Sequence, residues 1–254
     1  MPIKKGDFIK ISYTGRVKDG DVFDTTDEKV AKEADIFNEN VKYGPQLIVV
    51  GSGYSVKGLE GDIIGKAVSY KGTVEVSPEK GFGEHNPKLV ETFSITKFKE
   101  RPIMGARVNL NGRVGTISTV IGRRVRVDFN HPLAGQTVVY DYTIEEQVKD
   151  TKNKINGLVE MYAHTNLDVD VKGDAAIISV PYALSFDQHW LLSKKQIADD
   201  VLAHTNLKEV QYMEKHMAPK AEQEVKKAAK VSKKPAKKAT KQRKTSKPEK
   251  AAKK

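Results

Sequence analysis

Several aromatic residues and one acidic residue of this chain could bind another molecule. They are Tyr13, Phe23, Asp24, Phe82 and Tyr140. Aromatic rings can line an apolar pocket, and a carboxylate can hold a polar group at its rim. Taken singly, each ring is also consistent with the core of an alternating strand, and Asp24 with a cap of the turn at Thr25-Thr26.

Composition limits the chemistry that is available to the chain. It has 254 residues and no cysteine, which excludes disulfides, thiolate nucleophiles and cysteine-based zinc sites. The net charge is +11, but Pro219–Lys254 holds 15 Lys or Arg and only three acidic residues. Residues 1–218 have 29 basic and 30 acidic side chains, so a basic binding surface is not indicated for the folded part.

The chain shows no signal for export or for membrane insertion. Residues 1–7 lead directly into a strand pattern, without an apolar leader segment. No apolar run approaches the roughly 20 residues that a membrane-spanning helix needs. We therefore expect a soluble, cytoplasmic protein that has no membrane partner.

The elements that position the aromatic residues are short strands and one helix. Phe8–Tyr13 alternates apolar and polar side chains, and the Asp19-Gly20 turn leads into a second strand at 21–24. A helix is predicted at about 55–65, and an alternating strand follows at 67–76. This pattern predicts an α+β fold in which an antiparallel sheet wraps on a short helix.

Several motifs occur in the order typical of one protein family. They are Tyr13-Thr14-Gly15, Val22-Phe23-Asp24-Thr25-Thr26, the run from Gly51 to Gly61 that ends in Gly-Leu-Glu-Gly, Gly81-Phe82-Gly83, and Leu133-Ala134-Gly135-Gln136 followed by 137–142. This order resembles that of FKBP-type peptidyl-prolyl cis-trans isomerases with a second domain inserted in a loop at the active site. The resemblance implies a discontinuous isomerase domain, made of residues 1–83 and 133–148.

The resemblance also implies which residues act. The five residues named at the outset fall at catalytic positions of the family. Substrate-binding positions are implied for Tyr54, Ser55, Val56 and Leu59, with the backbone amide of Val56 holding a substrate carbonyl. Two positions depart from the family pattern: Phe82 stands where a Tyr is usual, and Gln46 stands where a Phe or Leu is usual.

Such a site requires no nucleophile, no metal and no cofactor. Rotation about an X-Pro amide has a barrier of roughly 20 kcal/mol, because resonance in the C–N bond is lost in the twisted transition state. An apolar pocket that binds the twisted amide lowers this barrier by differential binding. The Gly51-Ser52-Gly53 run has the glycines of a phosphate loop, but no Lys-Ser/Thr follows it, so nucleotide binding is not expected.

Residues 84–132 are predicted to form the inserted domain, with short strands around hairpin turns at Asn111-Gly112 and Gly122-Arg123. The residues that flank it resemble those of the SlyD group of FKBP proteins, in which the insert has chaperone activity. Its substrate-binding candidates are Val90, Phe93, Ile95, Phe98 and Met104. Each of them is also consistent with the core of the small domain.

Residues 150–218 are predicted to form a third, α/β unit, and the whole arrangement resembles long-type archaeal FKBP proteins. Two predicted helices, at 153–164 and 190–204, each end in Ala-His-Thr-Asn-Leu and lead into a strand. We expect His164 and His204 to lie at helix ends, with the Asn of each copy in the left-handed cap position. A metal pair is the alternative, but no third ligand is evident. The unit is a candidate for homodimerisation.

Residues 219–254 are predicted to be a disordered cationic tail. The expected partners are unfolded or proline-containing polypeptides, and nucleic acid or the ribosome for the tail, with binding that falls steeply with salt. The predicted function is isomerisation of X-Pro bonds in unfolded or partly folded proteins, with chaperone activity through the insert. The departures at Phe82 and Gln46 motivate an alternative, a non-catalytic peptide-binding chaperone that the tail tethers to nucleic acid or the ribosome.

Overall fold

The computed structural model describes residues 2–216, and the tail predicted for 219–254 lies outside them. Within the described residues the elements in chain order are β1 (Phe8–Val17), β2 (Val22–Thr25), α1 (Glu28–Glu33), β3 (Gln46–Val49), α2 (Lys57–Ile63), β4 (Lys71–Val76), β5 (Val90–Ser94), β6 (Arg107–Leu110), β7 (Arg113–Ile121), β8 (Arg124–Asp128), β9 (Val138–Val148), α3 (Thr151–Ala163), β10 (Asp168–Lys172), β11 (Ala175–Val180), α4 (Gln188–His204) and β12 (Glu209–Glu214). Over residues 2–216, none of the helices is long and apolar enough to cross a bilayer.

The first sheet is built on β1, which pairs antiparallel along its whole length with β9. β4 pairs with the other edge of β9, whereas β2 and β3 share the remaining edge of β1, towards its two ends. Ile9 and Ile11 alternate to one face of β1 and pack in one cluster with Leu59 and Ile63 of α2. All four side chains are fully buried. The predicted α+β fold, an antiparallel sheet wrapped on a short helix, is therefore confirmed.

The connection from β4 to β9 contains a second, four-stranded antiparallel sheet of order β5-β8-β7-β6. The turn between β6 and β7 follows from its sequence, because Asn111 and Gly112 have φ angles of 55° and 79°, as a two-residue hairpin requires. The core of this sheet is small, and its buried members are Ile117, Val125 and Val127. Half-buried side chains complete it around that centre.

The C-terminal part has a three-stranded mixed sheet, in which β11 is antiparallel to β10 and parallel to β12. The helix–strand repeat occurs twice, as α3–β10 and α4–β12, and α4 provides the crossover that a parallel pair needs. Its core continues into the first sheet, since Phe8, Val49 and Val148 belong to one cluster with Leu158 of α3 and Ile197 of α4. The C-terminal part therefore packs directly against the first sheet.

The helix caps of this repeat differ from expectation. The left-handed residue after α3 is His164 itself, with a φ of 51°, and not the following Asn166. α4 is followed by Thr205 in extended backbone, and the hydroxyl of Thr205 donates to the carbonyl of Val201 at 2.6 Å. The expected Asn caps are therefore wrong. After α3 the left-handed turn comes two residues before Asn166, and at the end of α4 the Thr205 hydroxyl binds a carbonyl of the last turn.

The two repeated histidines also lie in different surroundings. The ring of His164 stacks on that of His189 at 5.4 Å between centroids, whereas His204 Nε2 lies 3.2 Å from the hydroxyl of Ser52. In the part of the chain that the structure describes, no group of three or more His, Asp or Glu side chains is arranged to hold a metal ion.

Candidate active site

The four rings predicted for the site meet on the α2 side of the first sheet. Tyr13 of β1 continues the face of Ile9 and Ile11, and the ring of Tyr140 of β9 lies 5.9 Å from it, edge to face. Phe23 of β2 lies 5.8 Å from Tyr140 and 5.6 Å from Phe82, again edge to face. We call this group, Tyr13, Phe23, Phe82 and Tyr140, the aromatic cup. Edge-to-face contacts at these distances are favourable, so the rings support one another.

Gly15 permits this close approach of rings. It lies two residues after Tyr13, on the same face of β1. A Cβ atom at this position would lie 2.8 Å from both the Phe23 Cζ and the Tyr140 Cε1 atoms. That separation is shorter than van der Waals contact, so a side chain here would push the two rings apart. The first motif of the sequence thus needs glycine for packing.

Asp24 is bound to the cup and not to the turn that follows it. The hydroxyl of Tyr13 donates to Asp24 Oδ2 at 2.8 Å. The turn is held by other groups, since the hydroxyls of Thr25 and Thr26 donate to the Tyr13 carbonyl and Asp27 caps α1. Of the two readings that the sequence left open for Asp24, the structure favours the one that joins it to the aromatic residues.

Burial and the charge of Asp24 keep the tyrosine hydroxyls of the cup protonated. Burial is the largest cause that raises the pKa of Tyr13 far above its ordinary value, and the charge of Asp24 is the second. The same two causes raise the pKa of Tyr140 to about 12. Both hydroxyls are therefore hydrogen-bond donors at any physiological pH.

The loop before α2 is held by a buried carboxylate that the sequence analysis did not single out. Glu60, which is only 6% exposed, accepts the N–H of Ser55 at 3.0 Å and that of Gly53 at 3.3 Å. Val56 follows in extended backbone as the N-cap residue, directly before the helix. Within residues 2–216, no group accepts a hydrogen bond from the amide of Val56. That amide is therefore available to a ligand.

The other two substrate-binding predictions of this region, Tyr54 in the loop and Leu59 in α2, have different surroundings. Leu59 is fully buried in the cluster that includes Tyr140, so it supports the cup from below. The ring of Tyr54 also packs against this cluster, but its hydroxyl donates to Asp200 of α4. The side chain of Tyr54 is thus tied to the C-terminal part of the chain.

The sequence analysis missed one ring at the cup. His131, in the segment that returns from the inserted sheet, stacks on Phe82 with centroids 4.6 Å apart and planes inclined by 3°. The Nδ1 atom of His131 accepts the backbone N–H of Leu133 at 3.2 Å, which sets the tilt of the ring. The only sequence signal was the position of His131 beside Pro132 and the Leu-Ala-Gly-Gln motif.

The substrate-binding candidates of the inserted sheet do not join the cup. Phe93, Ile95 and Phe98 are half-buried and pack against the small core of that sheet. Met104, by contrast, is 72% exposed, and Val90 is half-buried at the start of β5. Only Met104 of this set presents most of its side chain to solvent.

An open depression of about 430 Å³ lies along β1, β9 and β4, lined mainly by polar side chains such as Ser12, Thr14, Thr73, Asp141 and Thr143. Strand alternation puts these side chains on the face opposite to Tyr13 and Tyr140. The depression therefore opens on the other face of the sheet, although Tyr13, which lies between Ser12 and Thr14, is also among its lining residues.

Comparison with known proteins places this geometry in a family. Residues 1–99 match the family model of the FKBP-type peptidyl-prolyl cis-trans isomerase, 88–133 that of the "FKBP26, IF domain" and 151–217 that of "FKBP26_C-terminal". A short-type peptidyl-prolyl cis-trans isomerase of Methanocaldococcus jannaschii is 35% identical over 147 residues, which are 57% of this chain and 93% of that protein. This chain belongs to the FKBP-type peptidyl-prolyl cis-trans isomerases.

Other FKBP-type relatives extend the similarity to bacteria. A 16 kDa isomerase of Escherichia coli K12 is 35% identical over 109 residues, which are 40% of this chain and 73% of that protein. The isomerase SlyD of Aeromonas hydrophila is 30% identical over 143 residues, covering 54% of this chain and 61% of that protein. The resemblance found in the motifs is confirmed, and the chain is an isomerase of the FKBP type.

Proposed function

We propose that this isomerase acts on X-Pro bonds of unfolded or partly folded polypeptides, with Tyr13, Phe23, Asp24, Phe82 and Tyr140 as its catalytic residues. The observation that carries the proposal is the convergence of the four rings of the aromatic cup beside the Tyr13–Asp24 hydrogen bond. The cup brings together residues from positions as distant as 13 and 140. The cup is apolar, except for the tyrosine hydroxyls and Asp24, which can orient a peptide.

The proposed mechanism is differential binding of the twisted amide. The planar amide has the larger dipole and is better stabilised by water, so apolar walls that exclude water favour the twisted form. Twisting also ends donation of the nitrogen lone pair into the carbonyl, whose carbon becomes more positive. Asp24, oriented by the Tyr13 hydroxyl, provides a fixed negative charge beside that carbon. The Val56 amide holds the carbonyl of a flanking residue.

A protease-coupled assay of an Ala-Leu-Pro-Phe peptide tests the site. Phe23→Ala and Asp24→Ala are each expected to lower kcat/KM by about ten-fold or more, since each removes a wall or a charge of the cup. Phe37→Ala is the matched control, because the ring of Phe37 is exposed and stacks on Tyr43 outside the cup. Unchanged rates for both cup variants would show that the site has been misassigned.

Chaperone activity through the inserted sheet is the second part of the proposal. Its support is a group of strongly exposed apolar side chains on a small sheet: Ile103 at 68%, Met104 at 72%, Val114 at 52% and Ile121 at 69%. Exposed apolar groups of this kind suit the capture of unfolded chains. Because Phe93, Ile95 and Phe98 pack against the core of the sheet, Met104 and Ile103 are the better candidates for direct contact.

The capture of unfolded chains is tested separately from catalysis. The double variant Ile103→Ser/Met104→Ser should suppress aggregation of a diluted, unfolded protein less well than the wild type, while the tetrapeptide rate stays unchanged. Val41→Ser is the control, because Val41 is also exposed, at 46%, but lies outside the insert. Equal suppression by all three proteins contradicts capture by this patch.

Two further contacts are proposed. The C-terminal part exposes Phe186 at 71% and Leu192 at 73%, an apolar surface that suits a second copy of the chain. Light scattering should then show a dimer that Phe186→Ser/Leu192→Ser converts to a monomer.

The second contact is that of residues 219–254 with nucleic acid or the ribosome, and it is proposed from their Lys-rich composition. Binding should be lost when this segment is deleted, and it should weaken as the salt concentration rises.

A further inference from the structure

Two tyrosine hydroxyls from different parts of the chain share one carboxylate oxygen. Tyr54, in the loop before α2, and Tyr162, in α3, both donate to Oδ2 of Asp200 in α4, the second at 2.6 Å. The two hydroxyl oxygens are 3.0 Å apart. The other oxygen of Asp200 accepts from Gln196, one turn earlier in α4, at 3.3 Å. The carboxylate is thus oriented by bonds to both of its oxygens.

The same loop has a second bond to α4 and a third support from α2. The hydroxyl of Ser52 lies 3.2 Å from Nε2 of His204, which is one turn after Asp200. Glu60 of α2 holds the backbone N–H groups of Gly53 and Ser55. The loop therefore has α2 on one side and α4 on the other. Val56, whose amide is available to a ligand, follows at once.

We propose that Asp200 is a positioning residue of the isomerase, which fixes the loop 51–56 through Tyr54 and so places the Val56 amide at the rim of the aromatic cup. The proposal rests on the function proposed above, because it assumes that this amide binds the substrate. Asp200 itself touches no substrate. Helix α4, which lies in the C-terminal part, thereby contributes to a site formed by the first sheet.

The proposed contact acts on binding more than on the bond rotation. Without the carboxylate, two half-buried hydroxyls lose their acceptor and the loop gains conformational freedom, which substrate binding must then remove. The Val56 amide binds a carbonyl that flanks the rotating bond, so it contributes equally to the ground state and the transition state. A loss of this kind raises KM and leaves kcat nearly unchanged.

The experiment compares three variants of the full-length chain. Asp200→Ala should raise KM about five-fold, with kcat within two-fold of the wild type. Asp200→Asn should largely restore KM, because its side-chain oxygen still accepts both hydroxyls. Asp199→Ala is the matched control, since Asp199 precedes Asp200 in α4 and its carboxylate is half-exposed, paired with Lys195. NMR exchange spectroscopy at several peptide concentrations separates kcat from KM.

Amide hydrogen exchange gives a readout that a purely structural role would not produce. Exchange at Gly53 and Ser55, whose N–H groups are bound to Glu60, should rise in Asp200→Ala, while exchange in the centre of β1 stays at the wild-type value. Emission of Trp190, the single tryptophan, is expected to stay unchanged because its buried ring packs on Tyr212, away from this contact. If the emission of Trp190 shows that Asp200→Ala has unfolded the C-terminal part, the variant Tyr54→Phe replaces Asp200→Ala in the experiment. Tyr54→Phe keeps the hydrogen bond between Tyr162 and Asp200.

Four outcomes overturn the proposal. A wild-type KM in Asp200→Ala and Tyr54→Phe shows that the contact does not serve substrate binding. A fall in kcat alone, or the same rise of KM in Asp199→Ala, excludes positioning of the loop. If these variants behave as the wild type while Phe23→Ala is impaired, only this inference fails. If Phe23→Ala and Asp24→Ala both retain full activity, the proposed site is wrong and the inference fails with it.

Discussion

The imidazole of His131 lies flat against the ring of Phe82, with centroids 4.6 Å apart and planes inclined by 3°. His131 belongs to the segment that returns from the inserted sheet, whereas Phe82 belongs to the segment that leads towards it. One wall of the aromatic cup is therefore backed by a residue at the C-terminal end of the insert. The position of the insert and the shape of the cup are connected through this pair.

Replacement of His131 by Ala should weaken the isomerase without removing a ring of the cup. Stacked pairs contribute about 0.5–1.5 kcal/mol beyond simple burial, so we expect kcat/KM to fall about five-fold. The protease-coupled assay measures this change. His189→Ala serves as control, because His189 stacks on His164 in the C-terminal part. If both variants lose the same activity, the effect is not specific to the cup.

Gly15→Ala should damage the cup by overpacking. The added methyl group would lie 2.8 Å from atoms of Phe23 and Tyr140, and such overpacking costs about 1–3 kcal/mol of unfolding free energy. Activity should fall in parallel, since both rings must move. Gly61→Ala is the control, because a Cβ there meets nothing within 4 Å and Ala favours the helix. Urea denaturation and the peptide assay give the two readouts, and equal effects of the two substitutions would contradict the packing argument.

The cup should lose stability at strongly alkaline pH. The pKa of Tyr140 is raised to about 12 by burial and by Asp24, from an ordinary value of about 10. A group whose pKa is higher in the folded state stabilises the fold below its unfolded pKa, and this contribution is lost as pH rises through the folded value. Unfolding free energy should therefore fall from about pH 10 to 12, less steeply in Tyr140→Phe. Parallel curves for the two proteins would contradict this assignment.

The junction with the insert should weaken in acid. His85 Nε2 lies 2.8 Å from Asp128 Oδ2, and Asn130 Nδ2 donates to the other oxygen at 2.7 Å. Burial alone would raise the pKa of Asp128, but the hydrogen bonds from His85 and Asn130 lower it below its ordinary value. A lowered pKa stabilises the fold above the unfolded value, near 3.9, and this contribution is lost as pH falls through the folded one.

Asp128→Asn tests that junction directly. At pH 7 it should lower the unfolding free energy by about 1–2 kcal/mol, and the difference from the wild type should shrink as pH falls below about 4. Circular dichroism during urea denaturation at several pH values measures both quantities. Asp170→Asn is the control, because its carboxylate is well exposed and pairs only loosely with Lys172, at 3.9 Å. A difference that stays constant with pH would contradict a role for the ionised carboxylate.

Much of the fold was predictable because its signals are local. Alternation in β1 predicted the face that carries Ile9, Ile11 and Tyr13, and Asn111-Gly112 predicted a hairpin. Two elements were missed because their local signals are weak. β11 (Ala175–Val180) is a short apolar run that periodicity does not distinguish from a buried helix segment, and α1 has only six residues.

The sequence by itself determined the family, through the order of its motifs, and with it the rings from Tyr13 to Tyr140 that meet in the cup. Only the tertiary structure decided what touches those residues from outside the motifs. The contact of Tyr54 with Asp200 joins residues 146 positions apart, and His131 reaches Phe82 across the whole insert. Periodicity reports that a side chain is buried, but its partner depends on how separately folded elements pack, and no local pattern contains that information.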